Sequence, residues 1–333
     1  MNLSKKVAFF LFISVMLTIA ACGNNEEDAN NANANDVDEN WPEDDITINI
    51  HADSGNLDTA VRQISPLLEE ELDQDIIVEN RPGGGQAVSQ TETQSEPADG
   101  YTFQTITSST SFGMATDQIP FEPEDWSVVG SMQQEPASIA VPSDSPLEDI
   151  DDFVEEMKDD PENLVVGGYQ SDGYMRYVYY KLQQMGDFEG KWIPIDTTDE
   201  VATDLLGGHI DVAIMTPSTA LSALEDDDIK LLGVASEEEL DTYPDVDTFK
   251  DQGYDMVEEL YRGIMAKEGT PQNVIDQMHD AMQEAAEDSE WKEFQENQNQ
   301  EMDDRTPKEL DENLKEEVED RKVFVEDLDI EAD

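Results

Sequence analysis

The chain has 333 residues, in which 81 Asp and Glu face 18 Lys and Arg for a formal net charge of −63, and apolar residues make up 37%. That charge repels phosphate and excludes a nucleic-acid partner, while apolar runs such as LVVGGY and DVAIM recur often enough to exclude a wholly disordered body. The composition reads as a folded protein for strong brine, its surface carpeted with carboxylates, because at about 1 M salt the Debye length is only about 3 Å and such a surface no longer repels itself.

At the start, Lys5 and Lys6 precede an apolar run from Val7 to Ala21 that is short for a membrane span and has the shape of a signal peptide. Ile19-Ala20-Ala21-Cys22 resembles a bacterial lipobox, so residues 1–21 are expected to be a lipoprotein signal peptide and Cys22 the lipidated residue that anchors the protein outside the cytoplasm. Cys22 is the single cysteine, which leaves none for disulfides, metal binding or nucleophilic catalysis. Residues 22–45, rich in Asn, Asp and Glu, read as a solvated, disordered tether, and folding is expected to begin near Ile46.

From there β-like and helix-like runs alternate. Strands are predicted at Ile46–His51, Asp75–Glu79, Tyr101–Thr105, Ser138–Val141, Leu164–Gly168, Lys191–Ile195, Ile210–Met215 and Ile229–Val234. Leu147, Ile150, Phe153, Val154 and Met157 recur at helical spacing, as do Val274, Ile275, Met278, Ala281, Met282 and Ala285. Ser145-Pro146, Thr270-Pro271 and Thr306-Pro307 each place a hydroxyl before a proline, and Glu148 and Glu309 complete two capping boxes. Alternation of this kind implies βαβ units and an α/β fold with mainly parallel sheets.

Three glycines, Gly83, Gly84 and Gly85, sit between a strand and a helix. A nucleotide loop would need Lys and Ser/Thr after the last glycine, but Gln86 and Ala87 follow, and no glycine falls three positions after Gly85 as a dinucleotide fingerprint requires. A tight strand-to-helix turn remains.

The segment VENRPGGGQAVSQTETQSEPADGYTF resembles one in the substrate-binding proteins of tripartite tricarboxylate transporters, the Bug family. Its Asn80-Arg81-Pro82-Gly83-Gly84-Gly85 run and its Asp99-Gly100-Tyr101-Thr102 strand start carry the likeness. SGNLDTAVR, ATDLLGGHIDVAIMTPSTAL, YPDVDTFKDQGYD and YRGIMAKEGTP resemble further family segments in the same order, from about Ile46 to Val323. Ser54 stands where the family has glycine, IDTTDE at 195–200 replaces a Tyr-Lys-Gly segment, and GGYQSDGYM replaces a Gly-Ser-Ser-Gly-like ligand loop.

The resemblance implies a two-lobe, periplasmic-binding-protein-like flytrap, with residues 46–142 and 258–333 in the first lobe and 143–257 in the second. Each lobe would be a mainly parallel sheet flanked by helices, closing on a small carboxylate in the cleft between them. The loops after Ile50, Thr105, Val166 and Met215 then face the cleft, since open α/β sheets bind ligands beyond the carboxyl ends of their strands. Hydroxyls, glycine-turn amides and helix N-termini suit a carboxylate. The candidates are Ser54, Gly55, Asn56, Asp58, Ser108, Ser109 and Thr110 in the first lobe, and Tyr169, Gln170, Ser171, Gly173, Thr216 and Ser218 in the second. Asp58 is read first as a cap for its helix, Arg81 and Arg262 as partners of neighbouring acids, and Gly83, Gly84 and Gly85 as support.

The expected function is capture of a di- or tricarboxylate or similar organic acid and its delivery to membrane transporter subunits, with no cofactor, no metal and no catalysis. Asp172 and Asp196 near the cleft leave open an amino acid or other zwitterion. A cation-binding surface protein, suggested by the acidic run at 225–228, lacks calcium-loop spacing, and an enzyme finds little support in His51, His209 and His279, none of which lies in a catalytic motif.

Overall fold

A computed structural model describes residues 40–328, apart from positions 54, 170, 172 and 299 and the side chain of Asp199. The expected signal peptide, the lipidation site Cys22, most of the tether, Ser54, Gln170 and Asp172 lie outside the described residues. In chain order the elements are β1 (Ile46–Ile50), α1 (Asn56–Leu72), β2 (Ile76–Asn80), α2 (Ala87–Ser95), β3 (Thr102–Thr107), α3 (Ser108–Ala115), β4 (Trp126–Pro136) and β5 (Ser138–Pro142). Then come α4 (Ile150–Asp159), β6 (Val166–Tyr169), α5 (Tyr174–Gly186), β7 (Trp192–Ile195), α6 (Thr198–Leu206), β8 (Val212–Met215), α7 (Leu221–Glu225) and β9 (Ile229–Val234). The chain closes with β10 (Glu259–Lys267), α8 (Gln272–Ala286), α9 (Ser289–Gln298) and α10 (Pro307–Asp327).

The strands form two five-stranded sheets, β2-β1-β3-β10-β4 and β7-β6-β8-β5-β9, one in each lobe of an α/β fold. The sheets are mixed rather than mainly parallel. β1 runs parallel to β2 and β3, and β6 to β7 and β8, whereas β10 is antiparallel to β3 and β4, and β5 to β8 and β9. The parallel pairs are wound through helices, as parallel neighbours require. β5 and β10 instead arrive from the opposite lobe without an intervening helix, so the crossing sets their direction.

The outward crossing corrects one expected boundary. Ser138–Pro142 was assigned to the first lobe, yet this stretch is β5 and hydrogen-bonds to β8 and β9 in the second sheet. The chain crosses at Ala137 and returns at Glu258, and backbone bonds tie the crossings together: Ala137 N donates to Glu258 O (3.0 Å), Glu258 N to Ala235 O (2.8 Å) and Ala235 N to Ala137 O (2.8 Å).

Burial follows the apolar periodicity. On one face of the first sheet, Leu57, Ala60, Val61, Ile64 and Leu68 of α1 and Val274, Ile275, Met278 and Met282 of α8 pack on Ile46, Ile48 and Ile50. In the second lobe Ile150, Phe153, Val154 and Met157 of α4 share a core with Val178 and Leu182 of α5, while Val201 and Leu205 of α6 cover the other face. α10 serves both lobes: Leu310, Leu314 and Val318 pack with Tyr261 and Met265 of β10, and Phe324 with Phe112 and Tyr177.

Order begins before Ile46, against the tether boundary expected at residue 45. Trp41 is 3% exposed and its Nε1 donates to Gly100 O at 3.2 Å. Gly100, at φ +85°, has no room for a side chain, since a Cβ would lie 2.2 Å from Val274 Cγ1. Of the three expected helix starts, Thr306-Pro307 caps α10 with the full box to Glu309. Ser145 does not cap a helix: the N-cap of α4 is Asp149, four residues later, whose carboxylate accepts from Asp152 N, and Ser145 Oγ accepts from Leu147 N in a local turn. Thr270 donates to Lys267 O instead, leaving Pro271 at the N-cap of α8.

Candidate functional site

The carboxyl ends of β1 and β3 in the first lobe, and of β6 and β8 in the second, lead into the segments that carry the predicted ligand residues. The first of these, the turn after β1, is held at Ala52 by Asn80. Its Nδ2 donates to Ala52 O at 2.8 Å and to Asp58 Oδ1 at 2.7 Å, and Asp58 also accepts from Arg62 Nε at 3.0 Å. Asp58 is therefore not a helix cap: the N-cap is Gly55, at φ +106°, and carries no side-chain cap bond. Gly55 and Asn56 are exposed above this brace.

His51, at the end of β1, shares a 2.9 Å hydrogen bond between its Nδ1 and Thr105 Oγ1. Burial pushes its imidazole down to about 4, against a smaller opposing effect of the backbone bond to Thr105. Beneath it lies a polar layer between α2 and the sheet, where Asn49 Nδ2 donates to Thr93 Oγ1 (2.9 Å) and Gln104 Oε1 accepts from Ser89 Oγ (2.7 Å) and Thr93 Oγ1 (3.0 Å).

The triple glycine turns the chain through four successive left-handed residues, Gly83 (+121°), Gly84 (+57°), Gly85 (+56°) and Gln86 (+86°). The turn aims Gln86 at the start of α3, where its Oε1 accepts from Thr110 Oγ1 (2.9 Å) and its Nε2 donates to Ser109 Oγ (3.0 Å). Gln86, 8% exposed, is a site residue the sequence reading missed; its place after three glycines and before a helix was the available signal. Arg81 beside the turn pairs with Glu79 and, at 3.7 Å, with Glu92.

On α3 the hydroxyls divide by task. Ser108 Oγ accepts from Tyr261 N (2.9 Å) and donates to Glu259 O (3.1 Å), which commits it to the joint with β10. Thr110 completes a capping box with Thr107, and exposed Ser109 lies 2.7 Å from Thr107 Oγ1. In the second lobe Tyr169 ends β6, Ser171 is exposed, and Gly173 is the N-cap of α5. Thr216 is buried after β8 and lies 3.2 Å from Ser218 Oγ. Asp196 is exposed in the β7–α6 turn.

The two lobes meet through one of these residues: Ser218 donates its hydroxyl to Glu135 Oε2 of β4. Glu135, 2% exposed, also accepts at Oε1 from Gln300 Nε2 (3.2 Å) and faces Arg262 Nη2 at 3.5 Å. The Arg262–acid pairing expected from sequence is thus present. Near the cleft ends, α1, α5 and the short 3₁₀ turn Pro217–Ala220 begin without a side-chain cap bond, as α6, α7 and α8 do, while α3 has a capping box and α4 and α10 are capped by Asp149 and Thr306. First-turn amides left without such caps, together with neutral hydroxyls and carboxamides, make an environment that accepts a carboxylate.

A separate cavity of about 250 Å³ is lined by residues that include Lys181 of α5, Glu258 and Glu259 at the return crossing, Arg305, and Glu317 and Arg321 of α10. Glu258 takes Lys181 Nζ at 2.8 Å and Arg321 Nη2 at 3.1 Å, and Arg305 pairs with Asp303 at 2.6 Å. Burial, reinforced by Asp303 and Glu301 and partly offset by Arg305, pushes Glu259 up to about 7. None of the predicted ligand residues lines this cavity, and its Lys181–Glu258–Arg321 ion pairs join α5, the return crossing and α10, which makes it part of the joint between lobes.

The three histidines lie apart, at the end of β1, after α6 and within α8, where His279 Nδ1 meets Val129 O at 2.9 Å. The acidic run at 225–228 forms the turn that ends α7, with Asp228 N donating to Ala223 O at 2.9 Å.

Residues 60–330 match the family described as tripartite tricarboxylate transporter family receptor. Among curated proteins, the UPF0065 protein in the gbd 5′ region of Cupriavidus necator is 27% identical over 243 residues, 72% of this chain and 73% of that protein. Among solved structures, a TctC solute-binding protein from Polaromonas superposes with a TM-score of 0.79 at 19% identity, over 86% of this chain and 100% of that one. MatC from Rhodopseudomonas palustris, solved with bound malate, gives 0.67 at 21% identity, over 86% and 100%.

Proposed function

The chain belongs to the tripartite tricarboxylate transporter receptor family, and we propose that it is an extracytoplasmic solute-binding protein that captures a small di- or tricarboxylate between its lobes. It then delivers the ligand to membrane transporter subunits. The family and the fold are those of substrate-binding receptors. On this reading Cys22 carries the lipid that holds the protein at the membrane, and the acidic surface is an adaptation to concentrated salt.

The observation that carries the proposal is the convergence of neutral donors at the strand ends. Ser109, held by Gln86, stands exposed at the start of α3 with buried Thr110 anchoring Gln86 behind it, and Thr216 and Ser218 follow β8 in the second lobe, where Ser218 already bridges to the first lobe through Glu135. Hydroxyls and helix amides hold a carboxylate through charge-assisted hydrogen bonds without desolvating a mobile cation. In the lobe arrangement expected here, residues 46–137 and 258–328 grip the ligand from one side and residues 138–257 from the other.

Calorimetry in concentrated KCl with malate, adipate, citrate, glutamate and calcium tests the reading, malate being chosen because MatC holds it. Saturable one-to-one binding of an organic acid is the expected result. Binding of glutamate alone would assign the cleft to zwitterions, and binding of calcium alone would overturn the proposal. Mass spectrometry of small molecules released from protein purified in its native salt identifies the physiological ligand directly.

A further inference from the structure

We propose that Arg262 is the specificity-determining residue of this cleft: its Nη1 receives the second carboxylate of the ligand, so the protein selects dicarboxylates over monocarboxylates of equal length. The inference rests on the carboxylate-binding reading above and names the substrate class within it.

Arg262 is 8% exposed, and Nη1 is buried without a hydrogen-bond partner among the described residues. Its one ion pair, Nη2 to Glu135 Oε1, is long at 3.5 Å. A buried guanidinium supplied with so little is unusual, because an unmet buried donor costs roughly 1–3 kcal/mol. Glu135, by contrast, is fully supplied. Gln300 Nε2 donates to Oε1 at 3.2 Å and Ser218 Oγ to Oε2. The pair is therefore lopsided, with a satisfied acid and a base that still has donors to offer.

The position of Arg262 makes a ligand the fitting acceptor. On β10 it stands in register with Thr107 of β3 on one side and Gln133 of β4 on the other. Thr107 is the N-cap of α3, directly ahead of Ser108, Ser109 and Thr110. The guanidinium thus leaves the sheet at the level of the candidate hydroxyls, next to the place where Ser218 of the second lobe reaches Glu135. A ligand with one carboxylate on the hydroxyls and helix amides would place a second within reach of a planar cation, whose geometry suits a carboxylate better than an ammonium does. Glu135 keeps the pair neutral while the cleft is empty, which lowers the cost of a buried charge.

The test compares matched acids by calorimetry in concentrated KCl: succinate against butyrate, and adipate against hexanoate. The wild-type protein is expected to favour the dicarboxylate of at least one pair by about 10-fold or more, the range set by a charge-assisted hydrogen bond. Arg262→Gln is expected to erase that preference by weakening the dicarboxylate and leaving the monocarboxylate within about 3-fold. Glu135→Gln removes the countercharge while its one side-chain oxygen still accepts from Gln300 Nε2 and its new amide donates to the Ser218 hydroxyl; it frees the full charge of Arg262, is expected to tighten the dicarboxylate several-fold, and decides the matter should Arg262→Gln not fold. A preference that survives in Arg262→Gln, or unchanged or weaker dicarboxylate binding by Glu135→Gln, overturns the proposal. Wild-type binding of acids with no dicarboxylate preference overturns this inference alone. Wild-type protein that binds none of them overturns the proposed function and this inference with it.

Discussion

The Arg321 guanidinium of α10 lies 3.7 Å from the centroid of the Tyr177 ring of α5, with Phe112 of α3 on another side at 5.2 Å. Arg321 is 2% exposed and donates to Glu258 at the return crossing, so one side chain joins the C-terminal helix, the second lobe and the hinge. Arg321→Leu is expected to destabilise the protein by about 3–5 kcal/mol, because it leaves buried Glu258 among other acids with Lys181 as its remaining ion-pair partner. Urea unfolding in high salt measures this, and a loss below about 1 kcal/mol would show that Arg321 is not central to the joint.

The glycine turn predicts a graded response. Gly84 and Gly85 share nearly the same left-handed φ, but a Cβ at Gly84 makes ordinary contacts with Ala87 at 3.5 Å and Val88 at 3.9 Å, whereas one at Gly85 falls 2.6 Å from Gln118 Oε1. Each change to alanine is expected to cost about 1 kcal/mol for the backbone. Gly85→Ala should lower Tm further because the Gln118 carboxamide must move. Equal shifts in a thermal melt would contradict this.

His51 is expected to remain neutral until the pH is well into the acid range. Its folded value near 4 lies below the ordinary 6.5, so the unfolded chain binds more protons between those values. Stability tied to His51 is present above about 6.5 and is lost as the pH falls through 4. An NMR titration of the imidazole with a midpoint near 6.5 would refute its burial against Thr105.

Glu259 works in the opposite sense. Burial raises it to about 7 from 4.5, so the folded state binds the extra proton in that window. Its contribution is fully present below about 4.5 and is lost as the pH rises through 7, by at most about 2–3 kcal/mol. Glu259→Gln is expected to flatten this part of the pH–stability curve, and a curve identical to that of the wild type would rule the assignment out.

Salt is expected to control ligand association. With a net charge of −63, the field of the protein opposes an approaching anion in dilute buffer and is screened in brine. Stopped-flow association of a dicarboxylate should therefore slow markedly as KCl is withdrawn, and a rate that is unchanged or faster at low salt would contradict the electrostatic argument.

Most predicted strands appear within a few residues of their expected places, because β1, β8 and β9 are rich in apolar residues and β3 in β-branched and aromatic ones, as buried strands are. β4 was missed. WSVVGSMQQEP mixes glycine, glutamines and a terminal proline, and it is buried almost throughout only because helices cover both faces of the first sheet. The proline-associated caps show the same limit: Thr306 caps because Glu309 reciprocates, while Ser145 and Thr270 satisfy nearby backbone groups instead. Asn80 and Gln86 stood in plain sight in a quoted motif, but their roles depend on Ala52, Asp58, Ser109 and Thr110, which come close only through the fold.

Local order in the chain was enough for the α/β class, the turn nature of Gly83–Gly85 and the amphipathic faces of α4 and α8, since periodicity and backbone freedom are properties of neighbours in the chain. The mixed sheets, the crossing at Ala137, the docking of Trp41, the spanning role of α10 and the meeting of Arg262 and Ser218 on Glu135 were decided by contacts between residues far apart in the chain. Hydrogen-bond partners and burial depend on those distant neighbours, and no local pattern encodes which ones will meet.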